Sequence, residues 1–374
     1  MAKTKGLCEI CSPKQWKTIS TDMLTDSGYP VYGANGVIGC YSEYNHEKPT
    51  LLITCRGATC GTLNICEPYS YVNGNAMALD NLMDEVDIKY LYYYLLNRGF
   101  EDVVTGSAQP QIVRQSLQKV NVTYPDKERQ AEIVTVLEKA SELIALRKGQ
   151  LSKLDQLVKS RFIELFGEPI ANQKNLPVKT LKEISTLITN GNTPKGGSEN
   201  YVENGITFLR SQNVWRNNIV LDDVAYIDEE THESMKKSSV HYKDILITKT
   251  GRINTENSSL GRAALYLGED DSANINGHVY LVRLDDTVVP EYVVTILTGE
   301  AYRRYIRKVC VGGIDKRQIN LDQVEEFPII LPPKEQQEQF ADFARQIDKT
   351  KLAIQQSLDK LELLKKSLMQ EYFG

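Results

Sequence analysis

Two stretches of the chain carry apolar residues at alternating three- and four-residue steps, the pattern of a long helix that packs along one narrow seam. The seam positions of the first stretch are Ile133, Leu137, Ala140, Ile144, Leu151, Leu154, Val158 and Leu165. Those of the second are Phe340, Ala344, Ile347, Ile354, Leu358, Leu361, Leu368 and Tyr372. Prolines at 125 and 332–333 suit helix starts, and Gly167 suits a helix end. The pattern therefore predicts two helices of about 58 Å, within 125–167 and 332–374.

The two helical stretches belong to an internal repeat. Tyr124–Ile133 resembles Leu331–Phe340 at a separation of 207 residues (331 − 124), and the same separation relates Phe166-Gly167 to Phe373-Gly374. Gln111-Ile112 and Gln318-Ile319 keep this register as well. A constant register of this kind indicates two halves, each a variable globular part followed by a segment of fixed length.

Each half begins with a β-rich part. Residues 50–54, 75–79, 206–209, 244–248 and 278–282 are predicted strands, because each is a short apolar or β-branched run. Helices are predicted over 88–96 and 291–307. We therefore predict an α+β fold, with a globular part over 1–124, a helix over 125–167, a linker over 168–177, a second globular part over 178–331 and a second helix over 332–374.

We expect the two long helices to pack on each other as an antiparallel coiled coil. Their polar seam positions do not coincide, because Arg147 matches Ile354 and Lys351 matches Ile144 in the repeat. A parallel homodimer would stack Arg147 on its own copy, which argues against that arrangement. Two independent amphipathic helices, each packed on its own globular part, are the structural alternative.

Composition narrows the class of protein. No run of 18 apolar residues is present, and the first residues lack the apolar core of a secretory signal, so we expect no membrane span. Seven cysteines, an odd number, indicate reduced thiols and a cytoplasmic protein. The net charge of −5 is unusual for a nucleic-acid-binding protein, but residues 301–317 form a basic cluster. Its cations are Arg303, Arg304, Arg307, Lys308, Lys316 and Arg317.

Motifs for intrinsic catalysis are missing. Gly191–Ser198 superficially resembles a phosphate-binding loop, but Gly197 stands where the lysine is required. No Asn-Pro-Pro-aromatic tetrapeptide of an amino-methyltransferase is present. Cys8 and Cys11 have the spacing of zinc ligands without a matching second pair, so we predict no metal site. The two tryptophans, Trp16 and Trp215, are interpreted as packing residues. We expect no enzymatic activity in this chain.

Polar and glycine-rich loops follow the predicted strands in both halves, and their side chains can read base edges or hold phosphates. The alternative for any one of them is ordinary turn chemistry. The predicted DNA-binding residues are Arg56, Thr59, Ser107, Gln109 and Gln111 in the first half, and Asn192, Lys195, Arg210, Asn213, Lys249, Arg252, Asn254, Arg262, Lys316 and Arg317 in the second.

This layout resembles the specificity subunit of type I restriction-modification enzymes over essentially the whole chain. The shared features are the helix entries at Pro125 with Gln130 and at Pro333 with Gln337, and the Phe-Gly helix exits. Asn190–Pro194 followed by Gly205–Ser211 is similar to the opening of a typical target recognition domain. The first half departs from that opening, since Gly28–Gly36 looks like a second subtype.

The resemblance implies that each globular part is a target recognition domain for one half of a bipartite, asymmetric site in double-stranded DNA. The helices would be a spacer and would dock two modification subunits, with restriction subunits joining the assembly. S-adenosylmethionine, ATP and Mg would be bound by those partners and no cofactor by this chain. The predicted partner-binding positions are Ile133, Leu137, Leu151, Leu154, Phe340, Ile347, Leu358 and Leu361.

Two other functions stay open at this point. The first is a solitary DNA methyltransferase or nuclease fragment, which labelled methyl transfer by the purified chain would reveal. The second is a coiled-coil scaffold unrelated to DNA, which would not be retained on DNA and would show no salt dependence of binding.

Overall fold

The computed structural model describes residues 2–34, 36–106, 109–255 and 257–374. The chain divides into unit 1, Met1–Gln150 with Ile354–Gly374, and unit 2, Leu151–Ala353. Each unit is a mixed α+β body, and two long helices each contribute residues to both units. The predicted division into globular parts, linker and helices follows chain segments instead, and it stays a prediction.

Among its described residues, unit 1 contains three groups of paired strands and two short α-helices. In chain order its elements are β1 Lys3–Gly6, α1 Leu7–Ile10, β2 Ser12–Gln15, β3 Tyr29–Gly33, β4 Gly36–Tyr41, β5 Leu51–Thr54, β6 Leu63–Ile65, β7 Tyr71–Val72, β8 Ala76–Asp80, α2 Ile88–Arg98 and β9 Asn121–Tyr124. They form a sheet in the order β2-β8-β5-β6, a sheet in the order β4-β3-β7, and the pair β1-β9. The long helix α3, Lys127–Phe166, follows β9.

Unit 2 repeats this plan with additions. Its elements are β10 Val178–Thr180, β11 Ser185–Asn190, β12 Ile206–Leu209, β13 Val214–Trp215, β14 Asn218–Ile219, β15 Ala225–Ile227, α4 Glu229–Ser234, β16 Ile245–Thr248, β17 Thr250–Arg252, β18 Ala263–Leu265, β19 Ala273–Ile275, β20 Val279–Leu284, α5 Pro290–Thr298, α6 Glu300–Val309, β21 Val311–Gly312, β22 Lys316–Gln318, α7 Leu321–Glu325 and β23 Pro328–Ile330. The second long helix, α8, is Lys334–Phe373.

Each of the three sheets of unit 1 has a counterpart in unit 2 with the same strand order. The order β11-β20-β16-β18 in unit 2 matches β2-β8-β5-β6 in unit 1, and β15-β12-β19 matches β4-β3-β7. In the matching sheets β4-β3-β7 and β15-β12-β19 the last pair of strands is parallel, β3 with β7 and β12 with β19. The pair β10-β23 matches β1-β9. The internal repeat of the sequence is therefore a repeat of topology.

Buried apolar runs place the central strands. All four residues of Leu51–Thr54 and of Ile245–Thr248 are buried, as expected for strands covered on both faces. The predicted strands are confirmed, and four of the five begin one residue later than predicted. The helix predicted over 291–307 is two helices, because Gly299 between them takes an extended backbone conformation.

A buried glutamine fixes the start of each long helix. The Gln130 amide donates to the carbonyls of Glu85 and Pro125, and its oxygen accepts from the Asp87 backbone N–H at 2.8 Å. Gln337, at the matching position, donates to the Pro332 carbonyl and accepts from the Val289 N–H. These bonds tie each helix entry to the turn before α2 or α5. The repeated glutamine of the sequence motif therefore has a structural cause.

The helices α3 and α8 have 40 residues each. In unit 1, Lys148 Nζ on α3 lies 2.8 Å from Glu362 Oε1 on α8. In unit 2, Asp155 Oδ1 on α3 lies 2.7 Å from Lys351 Nζ on α8, and the rings of Phe162 and Phe340 are 5.4 Å apart. Helix α3 ends at Phe166, and Gly167 directly after it has a φ of +79°, which is favourable for glycine and stops the helix as predicted.

Candidate nucleic-acid interface

A short three-stranded sheet in unit 2 brings together two of the predicted loops. Its order is β17-β22-β21, with Arg252 opposite Lys316 and Thr250 opposite Gln318. Arg252 and Lys316 are exposed, and Arg252 Nε lies 3.3 Å from Asp315 Oδ2. The sheet therefore collects cations from segments more than 60 residues apart in the chain (316 − 252), on a surface accessible to a polyanion.

The basic helix α6 leads directly into this sheet. Its buried side is Tyr302 and Ile306, while Arg304 and Lys308 are exposed. Residue Cys310 alone separates α6 from β21. Exposed cations of the basic cluster thus lie on both α6 and β22, and helix amphipathicity explains why Arg304 and Lys308 face solvent.

Unit 1 has a counterpart of this arrangement. Arg56, which follows the buried strand β5, pairs with Gln111, and Gln111 also pairs with Thr105. The Gly57 N–H donates to the Pro110 carbonyl at 3.1 Å. In unit 2 the corresponding pairings are Thr250 with Gln318 and Val311 with Gln318. Arg56, Thr59 and Gln109 are exposed here, and Ser107 lies outside the described residues.

Asn192 and Lys195 are exposed on the loop after β11, and this loop packs against the turn before β20. The Gly191 N–H donates to Val279 O, and a Cβ at Gly191 would lie 2.1 Å from the Ile275 carbonyl oxygen. Only glycine permits that approach. The Lys249 N–H donates to His278 O on the same turn, so the loops of Asn192 and Lys249 meet around residues 276–278.

The structure assigns Asn213 a role other than the predicted DNA contact. Asn213 is 2% exposed, and its amide donates to the carbonyls of Val220 and Asp223 while its oxygen accepts from the Arg210 N–H. Its hydrogen-bonding capacity is largely used within the turn. Arg210 is half-buried and lies 3.3 Å from Asp223 Oδ1. Asn213 therefore holds the loop that carries Arg210.

Arg262 does not fit the predicted DNA contact either, because it is buried beneath another side chain. It is 8% exposed, and its guanidinium donates to the carbonyls of Asn257 and Ser258. Burial lowers the pKa of this guanidinium. Its carbon lies 3.9 Å from the ring centroid of Trp215. Arg262 is therefore placed to position its neighbours and not to make the predicted DNA contact.

Trp215 is more exposed than the packing residue that the sequence predicts. It is 40% exposed and lies on the hairpin of β13 and β14. The signal was its context, an aromatic residue followed by Arg216, Asn217 and Asn218 and so surrounded by polar residues. Trp16, in contrast, is half-buried, as a packing residue should be.

The seam positions predicted to bind partners are mostly covered by the chain itself. Ile133, Leu137, Phe340 and Leu358 are buried, and Leu151, Leu154, Ile347 and Leu361 are partly buried. A partner cannot reach the buried four, so their assignment as contact residues is wrong. Exposed apolar side chains lie elsewhere on the helices, at Leu143, Leu146, Leu157, Leu352, Leu363 and Leu364.

Within the described ranges, one group of side chains has the geometry of metal ligands: Glu229, His232 and Glu233. Lys236 Nζ lies 2.7 Å from Glu233 Oε1 and 3.4 Å from His232 Nε2, so an ammonium already occupies this side of the group. Burial raises the pKa of the Cys11 thiol to about 12, which disfavours the thiolate that zinc requires. No helix of the described residues is long and apolar enough to cross a bilayer.

Curated relatives and solved structures resemble the chain over different extents. The EcoprrI specificity subunit of Escherichia coli is 28% identical over 146 residues, which cover 38% of this chain and 36% of that protein. The chain thus spans about a third of that relative's length. The MjaIX specificity subunit of Methanocaldococcus jannaschii is 26% identical, covering 77% of this chain and 68% of that subunit. The type I restriction-modification S subunit from M. genitalium has a similar fold, with a TM-score of 0.65 at 16% identity over 100% of this chain and 96% of that one.

The match to a family model covers both halves of the chain. The model describes the type I restriction modification DNA specificity domain, and it matches residues 1–156 and 173–363. These ranges include the loops of the β17-β22-β21 sheet and their unit 1 counterparts. The repeated topology, the paired loops and this match agree, and the chain belongs to the family of type I restriction-modification DNA specificity proteins.

Proposed function

We propose that this chain reads the DNA target of a type I restriction-modification enzyme, with unit 1 and unit 2 each recognising one half of a bipartite site. The observation that carries the proposal is the matched pairing of Arg56 with Gln111 and of Thr250 with Gln318. One framework presents loops at the same place in both units, but with different side chains. Two such readers would recognise unlike half-sites in an asymmetric target.

The long helices form an antiparallel coiled coil that separates the two readers, under this proposal. Support comes from within each unit, where α3 and α8 contact each other through Lys148 and Glu362 or through Asp155 and Lys351. From the first contact to the second, the position on α3 advances from residue 148 to residue 155, while the position on α8 goes back from residue 362 to residue 351. Contacts of an antiparallel pair follow this pattern. The globular parts 1–124 and 178–331 are then the two recognition domains, and the segments 125–167 and 332–374 are the spacer helices.

Partner subunits dock on the exposed apolar side chains of the helices. Leu146 and Leu363 are 56% and 70% exposed, which is unusual for leucine and costs free energy unless a partner covers them. We propose that two modification subunits cover these faces and that restriction subunits join that assembly. The chain itself performs no catalysis. S-adenosylmethionine, ATP and Mg are bound by the partner subunits.

The test is a methylome. The chain is expressed with modification subunits in a host without endogenous adenine methylation, and methylated positions are mapped by sequencing. A bipartite motif with two unlike halves supports the proposal. Arg252→Gln should change the preferred bases in one half only, and Arg56→Gln those in the other. Methylation at a single undivided motif would contradict the two-reader arrangement, and methylation without the partners would contradict the non-catalytic role.

The spacer role has a separate experiment. Seven residues inserted after Gly149 and seven after Asp359 keep the seam on one helix face. They lengthen each rod by about 10 Å, or about three base pairs of duplex. The two half-sites should stay the same while the gap between them grows by about three base pairs. An unchanged gap would show that the helices do not set it.

A further inference from the structure

A polar pocket opens on the surface of unit 2 between the β13-β14 hairpin and the sheet that carries Arg252. Its volume is about 320 Å³, and its lining includes Gln212, Trp215, Arg252, Asn257, Ser258 and Arg262. The sheets of unit 1 contain no counterpart of this hairpin among the described residues. The pocket is therefore a feature of the second reader that the shared fold does not require.

The indole of Trp215 is held rigidly in this pocket. Its Nε1–H donates to the Gln212 carbonyl at 3.0 Å, and its ring lies over the Arg262 guanidinium at 3.9 Å. The hairpin turn is fixed as well, because Asn217 adopts a φ of +52° and its N–H donates to the Ala263 carbonyl. A large aromatic ring that is fixed yet 40% exposed loses little entropy when a second flat group covers it.

Arg262, which lies beneath the indole, is held in place by its own hydrogen bonds. Arg262 is 8% exposed, its backbone N–H donates to Thr248 Oγ1, and its side chain donates to two backbone carbonyls of the loop 257–258. Trp215 therefore rests on a cation that is already ordered. A cation on one face of an aromatic ring favours stacking of a further π system within the same column.

The pocket is continuous with the basic sheet. The loop 258–260 packs so closely on β17 that a Cβ at Gly251 would lie 2.3 Å from the Leu260 backbone nitrogen. Ser259 Oγ donates to the Thr250 carbonyl at 2.7 Å. Arg252 lines the pocket and is also paired with Lys316 across the sheet. An exposed aromatic ring and exposed cations thus adjoin each other.

We propose that Trp215, seated on Arg262, is a stacking platform for one unpaired nucleobase of the DNA target, with Arg252 binding the adjacent phosphate. The inference rests on the proposed function and adds a residue to it. A modification enzyme must take its target base out of the helical stack, so unpaired bases arise whenever a site is processed. The aromatic ring recognises the face of a base and the guanidinium recognises the backbone, which is the chemistry of single-strand binding sites.

The two tryptophans of the chain make the test direct. In the full-length Trp16→Phe protein, Trp215 is the only tryptophan and reports on its own environment. Its fluorescence is followed while a mixed-sequence 12-nucleotide single strand is added, and separately the same strand in a fully paired duplex. Stacking of a base should quench most of the Trp215 emission with the single strand and less of it with the duplex.

Affinity is measured for matched variants of the same protein. Trp215→Ala should weaken binding of the single strand roughly 5- to 100-fold, the range for losing one stacked base. Trp215→Phe keeps an aromatic ring and should stay within about threefold of the parent. Trp16→Phe should bind like the wild type. Near-ultraviolet circular dichroism of each variant checks that the pocket is folded.

The outcomes separate this inference from the proposed function. If the wild type binds DNA and Trp215→Ala binds single strands equally well, the platform is refuted while the DNA-reading role stands. Unquenched Trp215 fluorescence at saturating DNA also refutes the platform. If the wild-type chain with its modification subunits does not bind duplex DNA, the proposed function itself fails.

Discussion

Each unit links the corresponding strands through one polar contact, and the positions of the acidic and basic partners are exchanged between the units. In unit 1, His46 Nε2 before β5 lies 2.9 Å from Asp80 Oδ1 at the end of β8. In unit 2 the acid comes before the central strand, and Asp244 receives two hydrogen bonds from the Arg283 guanidinium on β20, at 2.8 and 2.9 Å. Both units thus have a polar contact between these two strands, but they form it with different residue types.

The tryptophans show the same contrast at the surface. Trp16 donates to Asp80 and packs against His46, with its ring centroid 5.1 Å from the imidazole. Trp215 lies on an added hairpin and is exposed. What the units share is the set of strands and helix entries, and what distinguishes them is loops and insertions. A duplicated framework with divergent surface loops is what two readers of unlike sequences need.

The largest expected effects come from matched positions at the starts of the long helices. Phe340→Ala should destabilise unit 2 by about 4 kcal/mol, because Phe340 is buried against Phe162, Phe166 and Tyr292. Ile133→Ala, at the equivalent position of unit 1, should cost about 3 kcal/mol. Urea denaturation followed by circular dichroism measures both losses. An effect below 1 kcal/mol at either position would mean that its helix entry is not part of a packed core.

The two polar contacts should differ in how much the loss of the aspartate lowers the free energy of unfolding. Asp244→Ala leaves the Arg283 guanidinium without its bidentate partner and should destabilise unit 2 by about 3 kcal/mol, since the Asp244 side chain is only 2% exposed. Asp80→Ala in unit 1 should cost about 1 to 2 kcal/mol, because it removes single hydrogen bonds from His46 and Trp16. Thermal unfolding of the two variants gives the order, and equal losses would mean that the two contacts stabilise their units to the same extent.

The two helix-entry glutamines should contribute equally to stability, because they make matching hydrogen bonds in the two units. Gln130→Ala strands the Asp87 N–H, and Gln337→Ala strands the Val289 N–H. Each should cost about 2 kcal/mol, the penalty for a buried unsatisfied donor. Gln336→Ala, one residue earlier and exposed, is the matched control and should leave the unfolding midpoint unchanged. A loss at only one of the two positions would show that the motif is structural in one half alone.

The smallest effect concerns salt. Lys316→Ala should weaken duplex binding by about 1 kcal/mol and reduce the slope of log affinity against log salt by about one, because one phosphate contact is lost. Glu199→Ala, on an exposed 3-10 helix of the same unit, should leave the slope unchanged. Filter binding at a series of salt concentrations measures the slope. An unaltered slope for Lys316→Ala would remove the β17-β22-β21 sheet from the proposed DNA surface.

Much of the fold could be predicted because its signals are local. The strands over 51–54 and 245–248 are continuous apolar runs, and the long helices carry a seam with a proline before it and, in the first, a glycine after it. The individual site residues could not be predicted equally well. Asn213 and Arg252 are both polar loop residues in the sequence, yet one is 2% exposed and holds a turn while the other has a solvent-exposed guanidinium. Whether a loop side chain faces inward depends on partners far away in the chain.

The sequence by itself determined that this protein has two halves of one design, since a repeat and its periodicity survive in any conformation. Only the tertiary structure decided which loops adjoin, that Arg252 lies opposite Lys316, and that Trp215 is presented to solvent on Arg262. The physical reason is that periodicity reports which face of an element is apolar, while a site depends on strand pairing between distant segments. Such pairing is fixed by packing and backbone hydrogen bonds that no short stretch of sequence contains.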